Sequence, residues 1–190
     1  MARAVGIGIQ NFEKLITESC FYIDKTDFIR EWWENKDDVT LITRPRRFGK
    51  TLNMNMLERF LSIEYEGKGE VFEGLSIWSD EKYQKLQGTY PVIFLSFADI
   101  KANTFSLARE KICMVLQKLY SRFDFLLTGK LLKEGEREFY KKIFSEITDS
   151  AASSSLRELA SYLSRYKKKK VIILLDEYDT PLQEAYAHGY

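Results

Sequence analysis

Residues 43–51 read Thr-Arg-Pro-Arg-Arg-Phe-Gly-Lys-Thr, and the fold turns on them. The apolar run Val39-Thr40-Leu41-Ile42 comes before them. Leu52, Met56, Leu57, Phe60 and Leu61 follow at helical spacing. The order is therefore strand, tight loop, Gly-Lys-Thr, helix. A loop at a helix start points backbone N–H groups inward, and the helix dipole adds positive potential there. Arg46, Arg47 and Lys50 crowd this same helix start. Cations are unfavourable at that end of the dipole unless an anion joins them. Phosphate is the anion that fits.

The spacing approaches the nucleotide phosphate-loop pattern G-x-x-x-x-G-K-[ST]. Gly49, Lys50 and Thr51 fit it, while Arg44 stands at the first glycine position. Pro45 fixes its own φ and biases Arg44 toward extended backbone, so this loop is expected to run differently from one that opens on glycine. The candidate phosphate-binding residues are Arg46, Arg47, Phe48, Gly49, Lys50 and Thr51. Lys50 can neutralise the terminal phosphates, and the Thr51 hydroxyl can ligate Mg²⁺. Arg46 and Arg47 admit two readings, contact with phosphate or exposure to solvent or a partner.

A second stretch supports the first. Val171-Ile172-Ile173-Leu174-Leu175-Asp176-Glu177 is five apolar residues followed by two carboxylates. A continuous apolar run predicts a strand buried on both faces of a parallel sheet. Carboxylates at its C-terminal end fall where ligands bind in open α/β sheets. Asp176 can hold Mg²⁺, and Glu177 can act as general base toward an attacking water. Lys50 and Glu177 are thus the candidate catalytic residues, and Thr51 and Asp176 the candidate metal ligands.

Arg-Pro-Arg-Arg-Phe-Gly-Lys-Thr resembles the signature of the bacterial AAA-ATPase-like family. Tyr22-Ile23-Asp24-Lys25-Thr26 and Leu175-Asp176-Glu177-Tyr178-Asp179 are also similar to that family's pattern, and the resemblance covers residues 6 to 184, nearly the whole chain. The resemblance implies an ATP-binding domain of the P-loop class with an additional strand and a catalytic glutamate, using ATP and Mg²⁺. In such families a restriction-endonuclease-like domain often follows the ATPase, and one is expected in the longer protein.

The chain has 190 residues, 45 % of them apolar and 30 % charged, which suits one soluble domain with a real core. Its formal net charge of +1 recruits no nucleic acid over the whole surface. Cys20 and Cys113 are too few and too far apart for a metal knuckle, and read as free thiols in a cytoplasmic protein. No run approaches the ~20 apolar residues of a membrane helix.

Along the chain, Phe12, Leu15 and Ile16 predict a helical turn, Phe21–Ile23 a short strand, and Phe28, Ile29, Trp32 and Trp33 a helix begun by Asp24 or Thr26. This aromatic-rich region reads first as packing, and Tyr22 to Asp27 is alternatively a neighbour of a nucleotide base, as in related ATPases. Residues 62–90 read as irregular and polar, pinned by Phe72, Leu75, Ile77 and Trp78. Pro91 to Phe97 is a second core strand, expected beside the Asp176 strand, with Ser96 and Asp99 near its C-terminal end. Thr104 predicts the N-cap of a helix running to Phe123. Leu131 to Ile147 predicts a second helix, and Ser155-Leu156-Arg157-Glu158 the capping box of a third. This helical stretch, about 104–166, reads as an insertion, part of which forms a helical cap or a partner surface. Lys167–Lys170 reads as a solvated turn. His188 is a poor catalytic candidate.

The expected architecture is therefore an α/β P-loop NTPase-type parallel sheet flanked by helices, a single domain over 1–190. In the class it resembles, the strand between the phosphate-loop strand and the Asp-Glu strand comes later in sequence, and little follows Pro181. The chain thus reads as the N-terminal part of a longer protein, its sheet incomplete at the C-terminus. The expected function is Mg-ATP binding, with hydrolysis by the full-length protein. The competing reading is a nucleotide-gated interaction module that does not hydrolyse, working with a protein partner or a second copy. A nucleic-acid binder using Arg44, Arg46, Arg47 and the lysine run ranks last, because those clusters fall at opposite ends of the expected sheet.

Overall fold

The computed structural model describes residues 4–43, 45, 47–145 and 147–190. The chain divides into two compact units, Met1–Val92 and Ile93–Tyr190.

The first unit is organised by α3 (Lys50–Leu61), with α1 (Phe12–Thr17) and α2 (Asp27–Asn35) before it and α4 (Glu81–Gln84) after three short 3₁₀ turns. The helical spacing from Leu52 onward buries Met54, Met56, Leu57, Phe60 and Leu61. Phe60 meets Phe72 edge-on at 5.0 Å between ring centroids, and Phe72 stacks on Phe12 at 5.2 Å. Polar side chains lock the same helix. Asn55 Oδ1 accepts the Phe12 N–H at 2.7 Å. The buried Arg59 pairs with Glu13 and lies over the Tyr65 ring at 4.1 Å. At the C-terminal end of α3, the N–H groups of Gly88 and Tyr90 donate to Phe60 O and Leu61 O at 2.8 and 2.9 Å. Gly88 has φ +69°, and a Cβ there would come within 2.4 Å of Glu66 Cα, so glycine is required at this crossing. The helix is thus gripped at its far end, while Lys50 and Thr51 stand at its less buried start.

Three expectations for this unit change. Val39–Thr43 is not a core strand. It forms no ladder among the described residues, and Val39 and Leu41 are 87 % and 65 % exposed. Strand formation needs a neighbour to complete the ladder, and an apolar run alone does not supply one. Phe21–Ile23 is likewise extended without being a strand, although Phe21 N–H donates to Ala4 O at 2.7 Å. Residues 62–90 are more ordered than their polarity suggests. They hold 3₁₀ turns at Ile63–Tyr65, Gly69–Phe72 and Ser76–Ser79, with Val71, Phe72, Ile77 and Tyr83 buried.

The second unit carries β1 (Val92–Ser96) from Ile93 onward, then α5 (Phe105–Ser121), α6 (Phe125–Thr128), α7 (Glu134–Ser145), α8 (Asp149–Lys167), β2 (Ile172–Asp176) and α9 (Thr180–His188). β1 and β2 pair in parallel as a two-stranded sheet, and Phe97 N–H extends the pairing to Asp176 O at 2.9 Å. The strand beside Asp176 is therefore the one expected there. Ile93, Leu95, Leu119, Phe123, Ile143, Leu159 and Leu163 belong to one continuous core. Buried tyrosines stitch its helices together. Tyr120 OH donates to Ser155 O at 2.8 Å, and Tyr140 OH donates to Tyr120 O at 2.7 Å. Burial pushes the phenol pKa of both well above its ordinary value, and that of Tyr162 up to about 12.

Thr104 caps α5 as expected, its hydroxyl accepting Leu107 N–H. The other two boundaries shift. The helix placed at 131–147 runs from Glu134 to Ser145. The third starts six residues before Ser155, capped by Thr148. Ser155 lies buried inside it, bonding back to Ala152 O at 2.7 Å. β2 is also not buried on both faces. Leu174 and Asp176 are buried, while Ile173 and Leu175 are 45 % and 42 % exposed. Lys168 closes α8 in the left-handed conformation, which makes the lysine run a helix end followed by a turn.

Candidate functional site

In the first unit the backbone turns sharply before α3. Arg47 has φ +69° and Gly49 has φ +78°, so two left-handed residues flank Phe48 and bring the chain into the helix at Lys50. Gly49 is the N-cap residue, and its carbonyl accepts the first helical bond, from Asn53 N–H at 2.9 Å. Glycine adopts this conformation without a side-chain clash, whereas Arg47 adopts it at a cost. A helix start presents backbone N–H groups that its own carbonyls do not reach. Arg47 and Phe48 are exposed, and Lys50 and Thr51 are half-buried. Arg44 and Arg46 lie outside the described residues.

Tyr22 to Asp27 is fastened to this same helix and to the turn at Ser76. Tyr22 OH donates to Met56 Sδ at 3.4 Å and accepts Lys25 N–H at 3.2 Å. Burial is the main cause that raises the Tyr22 pKa. Asp24 accepts from the Thr26 hydroxyl at 2.7 Å, from Thr26 N–H at 2.8 Å and from Ser76 N–H at 2.7 Å. Burial alone would raise the Asp24 pKa, but the N–H groups of Ser76 and Thr26 and the Thr26 hydroxyl hold it below the ordinary carboxylate value. This segment thus braces α3, in keeping with the packing role its sequence suggests.

In the second unit Asp176 ends β2 as a buried residue, 4 % exposed, and Glu177 follows in the left-handed conformation at φ +52°. The strand places Asp176 on the covered side with Leu174, and the turn at Glu177 carries the next carboxylate into an exposed position. Thr180 closes that turn. Its N–H donates to Glu177 O at 3.0 Å, and its hydroxyl donates to Glu177 Oε2 at 3.3 Å. Sequence reading passes over Thr180. Its one sequence signal is the Glu-x-x-Thr spacing ahead of Pro181 at the head of α9. Ser96 and Asp99 flank the C-terminal end of β1, Ser96 Oγ accepting Ala98 N–H at 3.4 Å. His188 lies on α9 near Glu184.

The structure therefore keeps Arg47 to Thr51 contiguous at one helix start, and Asp176 with Glu177 at one strand end. Among the described residues no group of three or more His, Cys, Asp and Glu side chains is arranged to hold a metal ion. No helix among them is long and apolar enough to cross a membrane.

Comparison with known proteins bears on both halves. The "Uncharacterized protein in vnfD 5'region" of Azotobacter chroococcum mcd 1 is 27 % identical over 177 residues, covering 93 % of this chain and 29 % of that protein. The chain thus spans under a third of that relative's length. No solved structure matches. The family model described as "Predicted AAA-ATPase" matches residues 6–190, a span that holds the helix start at Lys50 and the strand end at Asp176, and the chain belongs to that family.

Proposed function

We propose that the chain binds Mg-ATP and that the intact protein hydrolyses it. The observation that carries this reading is the start of α3, where left-handed Gly49 hands the chain to Lys50 and Thr51 within a family of predicted ATPases. Backbone N–H groups at that turn would face the phosphates, with Lys50 supplying positive charge and Arg46, Arg47 and Phe48 shaping the loop. Thr51 and Asp176 offer hard oxygen donors. They suit Mg²⁺, which takes one or two protein ligands beside phosphate oxygens and neutralises charge on the β- and γ-phosphates when bound. Glu177 would accept a proton from water as the water oxygen bonds to the γ-phosphorus. The bond from that phosphorus to the bridging oxygen breaks, and ADP leaves.

The competing reading is nucleotide-gated docking without turnover. Leu107 and Met114, seven residues apart on α5, stand exposed, which gives such a module an apolar patch. ATP turnover by the intact protein separates the two. A general base contributes roughly 10²- to 10⁴-fold, so Glu177→Gln is expected to lower kcat by that order while ATP binding persists. Wild-type protein that binds ATP and never turns it over would favour docking.

A further inference from the structure

We infer that Thr180 is a positioning residue for Glu177, setting the carboxylate that the proposed hydrolysis requires. The inference rests on that proposed reading of Glu177 as general base. Glu177 is exposed and sits at φ +52°, a conformation that costs energy for a residue with a Cβ and persists only where its surroundings hold it. Thr180 supplies that hold at two points. Its N–H fixes the Glu177 carbonyl at 3.0 Å, and its hydroxyl reaches Glu177 Oε2 at 3.3 Å. Among the described residues this is the hydrogen bond that orients the carboxylate.

The placement of Thr180 sets it apart from the helix it begins. It is 8 % exposed and is the one buried residue of α9, whereas Leu182 and Tyr186 point into solvent. Pro181, Leu182 and Ala185 line an open, mostly apolar groove of about 300 Å³ with Phe105, Ala108 and Ile112. Within α9 the buried point is the one that touches Glu177. One carboxylate oxygen is engaged by the hydroxyl, which leaves Oε1 to take a proton. A hydroxyl on a buried residue that fixes the Glu177 rotamer reduces the freedom lost when the carboxylate takes a proton from the attacking water.

The test uses the intact protein, with steady-state ATP turnover and ATP binding measured for Thr180→Val, Thr180→Ser, Glu177→Gln and Lys50→Ala. Valine keeps the shape and the backbone bond and removes only the hydroxyl. Thr180→Val is expected to lose kcat roughly 10- to 100-fold, the scale on which misplacement of a catalytic group acts. KM and ATP affinity should stay at the wild-type value, and Thr180→Ser should recover most of the rate. Wild-type kcat in Thr180→Val, beside lost turnover in Glu177→Gln, would overturn the role of Thr180 alone. Loss of ATP binding in both Thr180 variants would make the residue structural and overturn it equally. Undiminished turnover in Glu177→Gln would overturn the role of Glu177, and the inference with it. Lys50→Ala reports on the phosphate site independently of both.

Discussion

In the first unit, the loop that carries Gly49 and Lys50 leads into the half-buried start of a helix whose far end is buried and clamped. In the second unit, Asp176 is itself buried, at the end of a strand that shows half its side chains to solvent. One motif is therefore held from a distance by the packing of Phe60 and Leu61. The other is held where it stands, by the β1 pairing at Phe97 and by the turn at Thr180. The difference separates fold from chemistry in the first unit and joins them in the second. Phe48 is exposed, so its side chain adds little to the packing, whereas Phe60 and Leu61 are fully buried. Around Asp176 a single side chain can serve both.

The largest expected effect comes from breaking the first arrangement at its buried end. Phe60→Ala removes a fully buried ring packed on Phe72 and should cost about 3–5 kcal/mol. Phe48→Ala, at a site 62 % exposed, should change stability by about 0.5 kcal/mol or less. Denaturant unfolding of both variants measures the contrast, and equal costs would remove it. Phe123→Ala, also fully buried, should match Phe60→Ala, whereas Leu175→Ala on the open side of β2 should cost far less.

A smaller effect sharpens the second unit. Tyr120→Phe keeps the ring against Tyr140, 4.7 Å between centroids, and loses the hydroxyl bond to Ser155 O. The expected loss is about 0.5–1.5 kcal/mol by the same measurement. The smallest effect concerns Asp24. Its folded pKa lies below the unfolded value, so its contribution is fully present above the ordinary carboxylate pKa and is lost as pH falls through the folded one. Asp24→Asn should therefore flatten the acid limb of the stability–pH curve, visible as a smaller change in thermal midpoint from pH 6 downward. An unchanged acid limb would mean that the Ser76 and Thr26 bonds do not favour the charged form.

Some of this was legible in residues whose signals are local. Gly49-Lys50-Thr51 opening a helix, Thr104 capping one, and Val171 to Asp176 forming a strand beside residues 92–96 all read directly from spacing and propensity. Val39–Ile42 reads as a strand on the same apolar signal and is not one, because a ladder needs a neighbour that four residues cannot specify. The Ser155–Glu158 capping pattern misleads for a related reason. Asp149 to Ser154 offers no capping box, yet Thr148 caps the helix and Ala151 and Ala152 favour its extension through this stretch. Thr180 escaped notice because its burial comes from the fold. Beside Asp179 and Pro181 its sequence looks like an ordinary turn. The division of the chain after Val92 falls between two apolar residues of one strand, where no composition change marks it.

The most direct test of the proposed phosphate site is calorimetric titration of the intact protein with ATP, with and without Mg²⁺, beside Lys50→Ala. The account predicts saturable, Mg²⁺-enhanced binding by the wild type that disappears in a folded Lys50→Ala variant. Equal binding by both proteins would contradict it, and the start of α3 would then be an ordinary helix end.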